Sequence, residues 1–269
     1  MDANRTTYLY FFVLTILFTW VFWFTAIATG GLSNTIGLVC YIIGGTGPLS
    51  ASIILIAFKD GKTGIKQLLS RMVQFRSMSI RWGFIMLAVV FIPIFVTIIL
   101  GGLFLSNWSP ISTMIVYISA PIGVLGSVMF NLIAVIFEEP GWRGFALDKL
   151  QEDFSALTSS LILGLIWAIW HTPLFLMPGT YQYELILGSL SFWVYMIGVI
   201  PTSILITWLY NNNNSSLFAA MLYHLVNNLG GEIFTMESPL DMIRLVGNFI
   251  TAIIVIITFG KERLVNEET

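Results

Sequence analysis

WGFIMLAVVFIPIFVTIILGGLFL, residues 82–105, contains no charged side chain. It exceeds the ~20 apolar residues that carry a helix across a bilayer. A strand reading fails because the run lacks the alternation of a membrane β-barrel, and backbone polar groups in lipid must be paired inside the segment or within a closed barrel. Similar runs recur at about 8–29, 36–58, 121–146, 157–176, 189–210, 216–233 and 241–260, giving eight candidate spans. The sequence therefore predicts an all-α fold, a polytopic membrane helical bundle of about eight transmembrane helices forming one membrane domain over residues 1–269. Composition agrees: 57% of the 269 residues are hydrophobic, 10% are charged, and the mean hydropathy is +0.88, which a water-exposed surface would not tolerate.

The run from Tyr8 to Ala28 follows Arg5 and superficially looks like a secretory signal, but its length is that of a span rather than a signal core of roughly 7 to 15 residues. It is expected to remain as the first helix. Cys40, the single cysteine, has no internal disulfide partner and excludes a cysteine metal cluster. The fourth span opens at Pro121 and is expected to be interrupted at Pro140-Gly141.

Charge is distributed unevenly. Between the second and third spans stand Lys59, Lys62, Lys66, Arg71, Arg76 and Arg81 against the single acid Asp60, which places that segment in the cytoplasm. Eight spans then put both termini inside, with Lys149, Lys261 and Arg263. Only Arg244 of the twelve basic residues falls near the outer side, and the opposite loops, about 30–35, 106–120 and 177–188, hold no Lys or Arg. Gly61-Lys62-Thr63 lacks the preceding glycine and strand of a phosphate loop, so the basic segment reads as a solvated loop or surface helix. With a net charge of −2 and this distribution, no nucleic-acid partner is expected; the lipid bilayer is.

Ionisable groups inside a bilayer cost roughly 2.5 to 3.5 kcal/mol each and face one another or a wet cavity, so the few that occur are candidates for chemistry. They form three clusters. In FEEPGWRG, residues 137–144, Glu139 and Arg143 are four apart and can pair on one helix face, leaving Glu138, a quarter turn away, free to act as a general base. In WAIWHTP, residues 167–173, Trp167 lies one turn before His171 and can buttress its ring, and Pro173 ends or kinks the helix. In YHLVNN, residues 223–228, His224 and Asn228 present an imidazole and an amide on one face, while Asn227 faces elsewhere.

These residue types suit water activation. There is no HExxH helix and no GxSxG elbow, and adjacent carboxylates on one helix diverge too far to flank a sugar. Two routes stay open: a divalent metal such as Zn2+ held by Glu138, His171 and His224, or a metal-free reaction in which Glu138 and His171 activate water while His224 and Asn228 stabilise the oxyanion.

EExxxR at 138–143, an aromatic residue four before His171, and HxxxN at 224–228, in that order on separate apolar helices, resemble the CAAX prenyl endopeptidase and bacteriocin-processing family. Its members, also called CPBP or Abi proteins, are intramembrane metalloproteases by common name. The resemblance covers about residues 121–229, the expected catalytic core. It implies an intramembrane endopeptidase that cuts a membrane-embedded peptide or protein, prenylated or a hydrophobic precursor, in a bacterial cell membrane. It also implies that Glu138 and His171 activate water, that His224 and Asn228 form the oxyanion site, and that Glu139 and Arg143 orient Glu138. Trp167 departs from the family's commoner phenylalanine and is expected to fill the same packing role. Two other readings fit the buried charge: a proton-coupled transporter, and a non-catalytic immunity or scaffold protein.

Overall fold

A computed structural model describes residues 3–265 and shows a helical bundle with no strand among them. Its helices are α1 (Ala3–Ala28), α2 (Thr35–Gly45), α3 (Gly47–Met72), α4 (Ile80–Leu105), α5 (Ser109–Ile118), α6 (Pro121–Gly141), α7 (Asp148–Asp153), α8 (Ala156–Trp170), α9 (Tyr181–Glu184), α10 (Leu190–Asn212), α11 (Leu217–Ile233) and α12 (Leu240–Phe259). Six helical stretches are long and apolar enough to cross a membrane, or seven if the bent pair α2 and α3 counts as one span. Every run read from the sequence is thus helical. The run at 216–233 forms α11, whose 17 residues stand at the lower end of the spanning range of about 17 to 25.

Two elements depart from the expectation, and the basic segment takes the helical one of the two forms expected of it. The second span is two helices, α2 and α3, meeting at Thr46 with a bend of 48°. The basic segment is helical to Met72 after a break at Gly61, whose φ of 61° only glycine adopts readily. Pro140 does not interrupt the fourth span. The helix passes through it and widens into a π-helical turn, Trp142–Leu147, before continuing as α7, so Pro121–Asp153 forms one stretch. The Trp142 amide donates to the carbonyls of both Glu138 and Glu139, so the α-helical ladder still holds where the wider turn begins.

Lipid tails are as apolar as leucine, so packing and polar contacts rather than the hydrophobic effect hold such helices together. The Trp170 indole donates to Thr19 Oγ1 at 2.8 Å, and Thr19 donates to the Gly44 carbonyl at 2.8 Å, tying α8, α1 and α2. Ser203 donates to the Ser160 carbonyl at 3.0 Å between α10 and α8. α6 packs between α3 and α11, and α10 between α8 and α12. At Gly141 the α6 backbone approaches α3 so closely that a Cβ would stand 2.3 Å from the Pro48 carbonyl oxygen. This contact fixes the height of the Glu138–Arg143 segment against its neighbours.

At the end carrying the basic segment, Arg71 pairs with Asp148 at 2.9 Å and also donates to Tyr210, while Tyr210 donates to Asp148. Asn211 and Asn212 donate to the carbonyls of Arg263 and Leu264 at 2.8 and 2.7 Å, seating the segment after α12 beside the end of α10.

Candidate active site

Glu138 and Glu139 lie on the last turn of α6, next to the π-helical turn that carries Arg143. All three are buried, Glu139 and Arg143 completely. Arg143 donates to Glu139 Oε1 at 2.8 Å, the pairing that their spacing of four predicts. The guanidinium also lies over the Trp167 ring, 4.5 Å from its centroid. Among the described residues, Arg143 Nε and Nη2 and Glu139 Oε2 have no hydrogen-bond partner. A buried ion pair so incompletely satisfied is a poor device for stability alone, since desolvation offsets much of its attraction.

Glu139 holds something other than what the sequence suggested. Its Oε1 also accepts from His224 Nδ1, at 2.8 Å, so the carboxylate joins α6 to α11 and fixes the His224 ring rather than Glu138. His224 Nε2 is left as the ring's free nitrogen. A carboxylate behind an imidazole sets both its tautomer and its orientation.

Glu138 is held by Trp167, whose indole N–H donates to Glu138 Oε2 at 2.8 Å. The same residue orients His171: the Trp167 carbonyl accepts from His171 Nδ1 at 2.8 Å. A carbonyl can only accept, so Nδ1 carries the proton and Nε2 of the neutral ring offers a lone pair. His171 caps the C-terminus of α8, immediately before a 3₁₀ turn over Thr172–Leu176 that contains Pro173. The α-helix ends there because Pro173 has no N–H with which to carry its ladder onward.

Trp167 is thus the hub. Its ring centroid lies 5.8 Å from that of His171 and 5.1 Å from that of His224, with Glu138 on its N–H and Arg143 on its face. Glu138 Oε1, His171 Nε2 and His224 Nε2 make no hydrogen bond among the described residues. Asn228 lies one turn beyond His224 on α11, partly buried, and its amide likewise has no protein partner there. Tyr195 of α10 packs edge-on against His171 at 5.5 Å and accepts from Gln182 at 3.1 Å. The sequence reading missed Tyr195, since a tyrosine in an apolar run carries no signal of its neighbours. It also gave Trp167 a packing role only, although an indole in place of a phenyl ring adds an N–H that a buried site must satisfy.

Among the described residues no three His, Cys, Asp or Glu side chains are grouped so that they could hold a metal ion. The set expected from the sequence, Glu138, His171 and His224, is gathered around the Trp167 indole. These residues do not fit a three-ligand metal site in this arrangement. What the cluster provides is a carboxylate oxygen and two imidazole nitrogens held from behind, which is the equipment for moving a proton to and from water and for donating to a developing charge.

Two comparisons bear on this geometry. Residues 120–230 match the family model described as type II CAAX prenyl endopeptidase Rce1-like. The chain is also 28% identical over 258 residues to "CAAX prenyl protease 2" of Methanococcus maripaludis, a similarity covering 92% of each protein.

Proposed function

We propose that the chain is an intramembrane protease of the Rce1-like CAAX prenyl endopeptidase type that it resembles, with Glu138 as its general base. The observation that carries this reading is the fixing of Glu138 and His171 by one residue, Trp167, through its N–H and its carbonyl.

A water between Glu138 Oε1 and His171 Nε2 loses a proton to Glu138 as its oxygen attacks the peptide carbonyl. The negative charge that develops on the carbonyl oxygen is met by the Asn228 amide and by His224 Nε2–H when that ring is doubly protonated. Glu139 carries the balancing charge. When the tetrahedral intermediate collapses, Glu138 returns its proton to the leaving nitrogen, so one water is consumed and each product carries its share. Glu139 and Arg143 act from behind as positioning residues. No step is routed through a metal. Activity is expected to survive chelation, and a loss restored by added Zn2+ would reverse that expectation.

The substrate is a membrane-associated peptide or protein with a prenylated or otherwise hydrophobic segment, the class that the family and the archaeal relative are named for. The protein is oriented with the basic Lys59–Arg81 segment in the cytoplasm and both termini on that side. Residues 1–2 and 266–269 lie outside the described residues.

The test is cleavage of a prenylated peptide by purified protein. Glu138→Ala and His171→Ala are each expected to abolish it while the protein still inserts and accumulates in membranes. Full activity in either variant overturns the assignment. His224→Ala and Asn228→Ala should slow turnover by about a hundredfold or more, the usual effect of losing an oxyanion donor.

A further inference from the structure

Arg244 lies in the first turns of α12, partly buried, and the mechanism above makes no use of it. No carboxylate lies within ion-pair distance of its guanidinium among the described residues, and it makes no hydrogen bond there. The acid one turn before it, Asp241, is already engaged by Ser191, Ser238 and the Met242 amide. Its electrostatic neighbours are the phenols of Tyr181 and Tyr223. A cation partly withdrawn from water with no carboxylate beside it is stabilised by an anion that binds there.

The guanidinium lies where such an anion would meet the active site. It reaches across to α11 and lies against Gly231, where a Cβ would stand 3.3 Å from Nη1. His224, Asn228 and Gly231 are spaced by four and three, so they form one stripe of α11. At 1.5 Å per residue the guanidinium is displaced about 10 Å along the helix from His224 and about one turn from Asn228. An extended peptide covers about 10 Å in three residues.

We propose that Arg244 binds the free α-carboxylate at the C-terminus of the peptide being cut and so selects for the free acid. This rests on the site assigned above. A guanidinium presents a planar fork of donors that matches a carboxylate in two parallel hydrogen bonds, so it discriminates between an acid and its amide. A prenylated CaaX motif is C-terminal by definition, with three residues after its cysteine, and therefore brings the carboxylate to that distance.

The experiment compares two peptides, a prenylated cysteine followed by three residues and ending in a free acid or in an amide. Both are offered to the full-length protein in a non-ionic, phosphate-free detergent, which removes lipid phosphate as a competing anion. The wild type is expected to prefer the acid in kcat/KM by about tenfold or more, the scale of a lost charged hydrogen bond. Arg244→Gln should raise KM for the acid and bring the acid-to-amide ratio to one, while Arg244→Lys retains part of the preference. Equal cleavage of acid and amide by the wild type overturns the inference, as does an unchanged ratio in Arg244→Gln. Either result leaves the catalytic assignment standing. Cleavage of neither peptide by the wild type overturns the site itself and this inference with it.

Discussion

Trp167 shows how much one side chain can decide. A phenylalanine there would keep the ring between His171 and His224 but lose the N–H that holds Glu138 Oε2. Trp167→Phe is therefore expected to lower kcat/KM by about tenfold or more while the unfolding midpoint stays near that of the wild type. Glu139 answers to a different measurement. Glu139→Ala leaves Arg143 buried without its partner and should cost about 3–5 kcal/mol of stability, seen as a lowered thermal midpoint in detergent. Glu139→Gln keeps an oxygen for His224 Nδ1 and should lose less. The residue types were legible in the sequence, since ionisable groups in apolar runs stand out, and the Glu139–Arg143 pair followed from a spacing of four. Which group each would hold was not legible. The partner of Glu139 across the bundle is 85 residues away, and the partner of Glu138 is 29 residues away.

The element that most shapes the site is the continuous helix through Pro140. A proline inside a helix removes one donor and crowds the preceding turn, which is why the sequence pointed to a break. The bundle holds the segment helical instead, and the π-helical turn takes up the misfit next to Glu138 and Glu139. Gly141 is the point of closest packing. Gly141→Ala would drive a methyl into the Pro48 carbonyl and should cost about 1–3 kcal/mol or more, lowering both the unfolding midpoint and turnover. Gly45→Ala, where a Cβ meets nothing within 4 Å, serves as the control and should leave both intact. α11 keeps to its sequence pattern. It ends at Ile233, where the apolar run ends, and its 17 residues carry His224 inward from one end and Gly231 close to the other.

At the scale of the whole molecule, charge bias and span count together set the expected topology. In a Cys40→Ser background, a cysteine at Gln74 should react with an impermeant thiol reagent only when the cytoplasmic face is open, and one at Glu237 only from outside. Both positions are exposed. Labelling with the sides exchanged would invert the orientation. By itself the sequence determined an all-helical membrane bundle and the ionisable residues that carry its chemistry, because hydropathy and charge are local properties and lipid penalises any polar group that is left unpaired. Only the tertiary structure decided that Trp167 joins Glu138 to His171, that Glu139 serves His224, and that Arg244 of α12, without an acid partner among the described residues, lies against the α11 stripe of Asn228. Those relations are contacts between helices, fixed by packing across the bundle, and no periodicity along a single helix encodes them.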